Sequence, residues 1–191
     1  MKRAGLLSLF VALTACSTIN GGSQQPGPIP PFEGSMSPVR VNRPNVVPNV
    51  LAEHHVDQRR GFDRVEFEFE RRALPGYTVR YVSDPGRICR TGQRTEVRGT
   101  RFIQVVFEPT DSDVPDTWQS TNFTNLRGVR QTCARAGEVT YIIGLANREP
   151  FRVIELQNPP RVVIDVAHPG VERVSDAEHP WIVDGVTLAK E

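Results

Sequence analysis

Only three cysteines occur in the 191 residues, no apolar run is long enough to cross a bilayer, and neither sign of charge is in excess. Each scarcity excludes something. A membrane-spanning helix needs about 20 apolar residues, and the longest such stretch, Ala4 to Ala12, falls well short of a permanent span. With 23 Lys+Arg against 22 Asp+Glu, the molecule has no overall field to steer it toward nucleic acid or another polyanion. Cys-x-x-Cys, Gly-x-Ser-x-Gly and glycine-rich phosphate loops are all missing. The four histidines, His54, His55, His168 and His179, show no metal-ligand spacing. The stretch DSDVPDTWQSTN lacks the glycine at its sixth position and the glutamate at its twelfth that a calcium hand requires. The expectation is a chain that is not an enzyme and carries no cofactor and no metal.

What is present begins at the amino terminus. Met1-Lys2-Arg3 is a short basic start, the apolar run follows, and Leu13-Thr14-Ala15 supplies small residues ahead of Cys16. This order is that of a signal peptide over residues 1–15. Leu13-Thr14-Ala15-Cys16 also resembles the bacterial lipobox, which implies cleavage before Cys16 and acylation of its sulfur and its new amino group. Two or more acyl chains anchor stably, at about 0.8 kcal/mol per buried methylene. The protein is then expected on the extracytoplasmic side of a bacterial membrane, held through the lipid on Cys16. Residues 16–49 are rich in Gly, Ser, Gln, Asn and Pro, a composition that marks a linker. Fully extended, some 33 residues of it would reach about 100 Å.

From Val50 onward the patterning has period two. In RVEFEFE, Val65, Phe67 and Phe69 alternate with Arg64, Glu66, Glu68 and Glu70, which places apolar groups on one face of a strand and charges on the other. YTVRYV, RFIQVVFE, VTYIIGL, FRVIEL and RVVIDVA complete about six short β-branched or aromatic runs bounded by Gly, Pro or Asn. No stretch in this region holds a long 3.6-residue apolar period with caps. The expected fold is all-β, a small antiparallel sandwich of about six to eight strands over residues 50–170. A tail, 171–191, is expected to dock on it through Trp181, Ile182, Val183 and Val186.

GFDRVEFEFE, LPGYTVRYV and YIIGLANREPFRVIELQNPPRVVIDVAHPG together resemble the AMIN and AMIN-like domains of bacterial envelope proteins. The resemblance covers roughly Val50 to Gly170. It implies a β-sandwich without catalysis of its own that binds peptidoglycan or otherwise localises envelope proteins. In amidases such a domain is joined to a hydrolase, whereas here about twenty residues follow. The expected partners are therefore the membrane and either peptidoglycan or an envelope protein, the second making the chain a scaffolding lipoprotein. Nucleic acid is not expected, and the chain is expected to be monomeric.

Three residues in the resembling segments are candidates for ligand binding: Arg64, Arg161 and Asp165. Arg161 and Asp165 lie four apart on one strand, on the same face at about 13 Å, too far to pair with each other. Arg64 is placed either to meet Asp165 across strands, or with the other two to offer hydrogen bonds to sugar hydroxyls and peptide carboxylates. Glu66 and Glu68 share a face at about 6 to 7 Å, a glycosidase-like separation, but any alternating glutamate strand shows it. Export makes Cys89 and Cys133 an even pair in an oxidising compartment, for which a disulfide is expected. It would clip together two polar connections, Ser83 to Thr100 and Pro109 to Gly137. The first holds Arg87, Arg90, Arg94 and Arg98, a basic patch suited to anionic wall polymers or lipid head groups unless nearby Asp111, Asp113 and Asp116 neutralise it.

Overall fold

A computed structural model describes residues 28–115, 118–173 and 186–188. Two six-stranded sheets form a sandwich. The first sheet has the order β1 (Val39–Val41), β4 (Gly76–Val82), β5 (Arg101–Glu108), β9 (Glu138–Leu145), β8 (Leu126–Arg135) and β7 (Trp118–Ser120). The second has the order β12 (Val186–Leu188), β10 (Phe151–Gln157), β11 (Pro160–Ala167), β3 (Phe62–Phe69), β2 (Asn49–Arg59) and β6 (Thr110–Ser112). Neighbours are antiparallel except β10 with β12 and β2 with β6.

Alternation along the strands builds the core. Val65, Phe67 and Phe69 of β3, with Val162, Ile164 and Val166 of β11, face Val79, Ile103, Val105, Phe107, Tyr141 and Ile143 of the first sheet. Phe67 sits edge-on to Tyr141 at 4.9 Å and to Phe107 at 5.0 Å. Each such side chain contributes about 1.5–3 kcal/mol on burial, so the middle of the sandwich is its most stable part.

The all-β sandwich is as the sequence led us to expect, but twelve strands stand where six to eight were expected. The six patterned runs became β3, β4, β5, β9, β10 and β11. β2 and β8 escaped because bulges reset their alternation, between Leu51 and Glu53 in one and at Leu126/Gly128 and Gln131/Cys133 in the other. β6, β7 and β8 thus occupy what the sequence presented as a polar connection from Pro109 to Gly137. β1, β6, β7 and β12 have three residues each, too few to show a period.

The boundary at Val50 also moves. Phe32 is buried and bridges to Arg173, Ser35 bridges to Phe151, and β1 pairs with β4. Residues 32–49 are therefore part of the sandwich and not of a linker. Isolated apolar anchors such as Phe32 and Val39, set among Pro, Gly and Asn, bury well without creating periodicity. In the tail, residues 186–188 add a strand beside β10. Trp181, Ile182 and Val183, like the leader and Cys16, lie outside the described residues.

Candidate functional site

The candidate trio lies on the outer face of the second sheet. Register pairs Arg64 with Asp165 directly across β3 and β11. The fully buried Asp165 carboxylate accepts from Arg64 Nε at 2.6 Å and Nη2 at 3.0 Å, and from Arg152 Nε at 2.9 Å. The hydrogen bond to Asp165, working against burial, raises the Arg64 guanidinium above its ordinary range. Arg161 is held apart from this pair and donates to Glu66 Oε2 at 2.7 Å. Glu66 in turn lies 3.6 Å from Arg64.

Of the two alternatives the sequence left open for Arg64, the pairing with Asp165 is present, while Arg152 and the Arg161–Glu66 bond were not anticipated. Arg152 was recoverable from one signal: folding FRVIEL back on RVVIDVA through Asn158-Pro159 sets Arg152 opposite Asp165. Arg152 also stacks over the rings of Phe32 and Phe62, at 4.9 and 5.0 Å. Every arginine of this face engages a carboxylate, Arg59 with Asp57 included. Such a lattice fixes strand register. It leaves little bonding capacity for a ligand, and Glu66, between two guanidinium groups, is poorly placed as a catalytic acid.

Cys89 and Cys133 form a disulfide with Cα atoms 5.1 Å apart. Cys133 sits at the edge of the outer face of the first sheet, where Cys89 N–H donates to Thr132 O at 2.9 Å. The connection 83–100 is thereby laid across that face, with Ile88 over the sheet and Ile142 beneath, both buried outside the central core. One glycine admits it: a Cβ on Gly144 would lie 2.0 Å from Arg98 O and 3.2 Å from the Val97 side chain.

On this outer face the charge pattern is the opposite of the lattice. Arg40 Nε donates to Thr78 Oγ1 at 3.4 Å, Arg80 donates twice to Gln104 Oε1 at 2.9 and 3.1 Å, Arg98 donates to Ser120 Oγ at 3.2 Å, and Arg130 to Glu96 O at 3.4 Å. All four acceptors are neutral. Arg130 Nε is buried without a partner. Register aligns Arg80, Gln104, Ile142, Arg130 and Trp118 in one row across β4, β5, β9, β8 and β7. Trp118 is 46% exposed. On the β1 side a groove of about 470 Å³ is lined by Arg40, Asn42, Thr78, Val106 and Glu108 among others. Its corner is closed by Arg43, which donates to both oxygens of Glu155 at 2.8 Å and to Pro75 O at 2.9 Å.

Among the described residues no group of three or more His, Cys, Asp or Glu side chains is disposed to hold a metal ion, and no helix is long and apolar enough to cross a membrane. Residues 46–168 match the family described as the AMIN-like domain. No curated protein and no solved structure matches the chain.

Proposed function

The chain belongs to the AMIN-like domain family, which places it among peptidoglycan-related or envelope domains of the extracytoplasmic side, and on that premise we propose that it is a lipid-anchored envelope protein whose sandwich binds the cell wall without catalysis of its own. The family match over residues 46–168 carries this reading. Two features support it. The Cys89–Cys133 disulfide suits an oxidising compartment, and the leader ends at Cys16 in the order of a lipoprotein signal. Acylation at Cys16 then tethers the sandwich, which starts at Phe32, by a span of at most about 55 Å.

The test is sedimentation of the mature chain with purified peptidoglycan sacculi, paired with mass spectrometry of the native protein. Co-sedimentation at physiological salt, together with loss of residues 1–15 and a fatty acylated Cys16, is the expected result. A chain that stays in the supernatant is a scaffolding lipoprotein and not a wall binder.

A further inference from the structure

The two outer faces of the sandwich treat their arginines differently. On the second sheet each guanidinium lies against a carboxylate. On the first sheet Arg40, Arg80, Arg98 and Arg130 are held by a hydroxyl, an amide, a hydroxyl and a peptide carbonyl, and none has a carboxylate partner among the described residues. A neutral acceptor orients a guanidinium without neutralising it. The near-balance of the whole chain therefore conceals a face on which these four guanidinium groups are oriented but not paired, with the carboxylates of Glu108 in the groove and Glu138 on β9 as its acidic groups. Arginine suits this use, because its planar fork matches carboxylate and phosphate oxygens two at a time.

Three further observations say what covers the face. The disulfide-clipped loop runs from Cys133 at the edge of the face to Ile142 at the centre of the row, where it separates the Arg80 side from the Trp118 side, so the face is not flat. On one side lies the groove beside β1, whose floor contains Thr78 and Val106 and whose rim carries Arg40; on the other lies Trp118, opposite Arg130. From Arg80 to Trp118 the row crosses four strand spacings, about 19 Å, the length of several sugar units. A concave groove of this size suits a narrow chain better than a planar bilayer. The exposed indole offers a flat apolar surface for the C–H face of a pyranose ring, and Gln104, Thr78 and Ser120 supply hydroxyl-matching groups beside the cations.

We propose that this outer face of the first sheet binds an acidic polysaccharide, a glycan bearing carboxylate or phosphate groups, with its anions on Arg40, Arg80, Arg98 and Arg130 and a sugar ring on Trp118. The proposal rests on the wall-binding reading and assigns to it a ligand class and a face.

The test uses the full mature chain with Cys16→Ser, so that lipid plays no part. Binding is measured to polygalacturonate, to poly(glycerol phosphate), to neutral chitin oligomers and to anionic phospholipid vesicles, and to sacculi before and after removal of attached anionic polymers. One or both acidic polymers are expected to bind, and which of them does separates carboxylate from phosphate recognition. Chitin oligomers and vesicles are expected not to bind. Affinity should fall about a hundredfold in Arg40→Gln/Arg80→Gln, the effect of two charge-assisted hydrogen bonds, and about fivefold in Trp118→Ala, the effect of a lost ring contact. The exposed, carboxylate-paired Arg59→Gln should match the parent. Capture by vesicles through the same residues overturns the proposal in favour of a membrane. Undiminished binding to stripped sacculi, with neither acidic polymer bound, overturns it while leaving wall binding intact. Failure to bind sacculi in any form removes the wall-binding reading itself.

Discussion

A carboxylate that is 1% exposed and holds three hydrogen bonds, as Asp63 does, has more to lose than any surface charge. One oxygen accepts from the backbone N–H groups of Asn125 and Leu126 at 2.6 and 2.7 Å, and the other lies 2.8 Å from His168 Nε2. Removing it leaves two buried donors unmatched at about 1–3 kcal/mol each. Asp63→Ala is therefore expected to lower unfolding free energy by about 3 kcal/mol in urea titration, and a loss below about 1 kcal/mol would show the turn to be satisfied otherwise. His54 supplies a pH dependence. Its ring packs between Phe67 and Tyr141, neither nitrogen has a well-formed hydrogen bond, and burial, then His55, lowers its pKa below 6.5 while Gln119 opposes the shift. The unfolded chain thus takes up the proton first as pH falls, so the stability is complete above about 6.5 and declines toward the lower native value. Melting temperature should fall more steeply between pH 7.5 and 5 in the parent than in His54→Phe; equal slopes would refute the assignment. Neither residue was visible as special in sequence, where Asp63 and His54 look like ordinary polar strand residues. Arg64 and Asp165 were visible, because alternation gave each a face and left each in need of a partner.

Among elements, those with an unbroken period were legible and those with bulges were not. β3 reads directly because charged and apolar residues alternate from Arg64 to Phe69. β8 does not, because its inward residues include Gln131, which binds Tyr141 Oη and Ser112 Oγ inside the sandwich. The outer face of the first sheet was illegible for a related reason: its row of Arg80, Gln104, Ile142, Arg130 and Trp118 is assembled from five strands, two of which showed no period. The disulfide was legible from compartment and parity, but its consequence was not. It lays a loop over Ile142 and divides that face in two. With its cysteines 44 residues apart, the bond is worth about 4 kcal/mol in the chain-entropy model, an upper figure. Cys89→Ser/Cys133→Ser should therefore lower the denaturant midpoint and raise the slope, because the freed unfolded chain exposes more surface, and amide exchange should quicken first over residues 84–99. Exchange that quickens evenly across both sheets would mean that the bond constrains the whole domain and does not pin the loop.

At the scale of the whole molecule the family match begins at residue 46, yet the sandwich is not closed without the fourteen residues before it. Phe32 covers Phe62 and Arg152 on the second sheet, β1 extends the first, and between them Arg43 reaches Glu155, whose side chain is 6% exposed. Tyr77 donates its hydroxyl to the same carboxylate at 2.8 Å, and burial together with that negative charge holds the phenol far above its ordinary pKa. A chain cut at residue 46 loses Arg43 and strands Glu155 as a buried anion, a situation that costs about 3–5 kcal/mol. It should melt well below a chain cut at residue 28. Adding Glu155→Gln to the shorter chain removes the uncompensated charge and should recover part of the loss, whereas in the longer chain the same substitution breaks a bidentate pair and should destabilise. Opposite signs in the two backgrounds, measured by thermal melts, identify the segment from Phe32 to Val41 and Arg43 as a strap that closes both sheets; equal signs would assign the loss to apolar burial alone. A strap anchored in this way places Phe32, its buried anchor, sixteen positions after Cys16, so with the proposed lipid at that cysteine the distance to the arginine face would be set by the strap and not by the domain boundary that sequence patterning suggests.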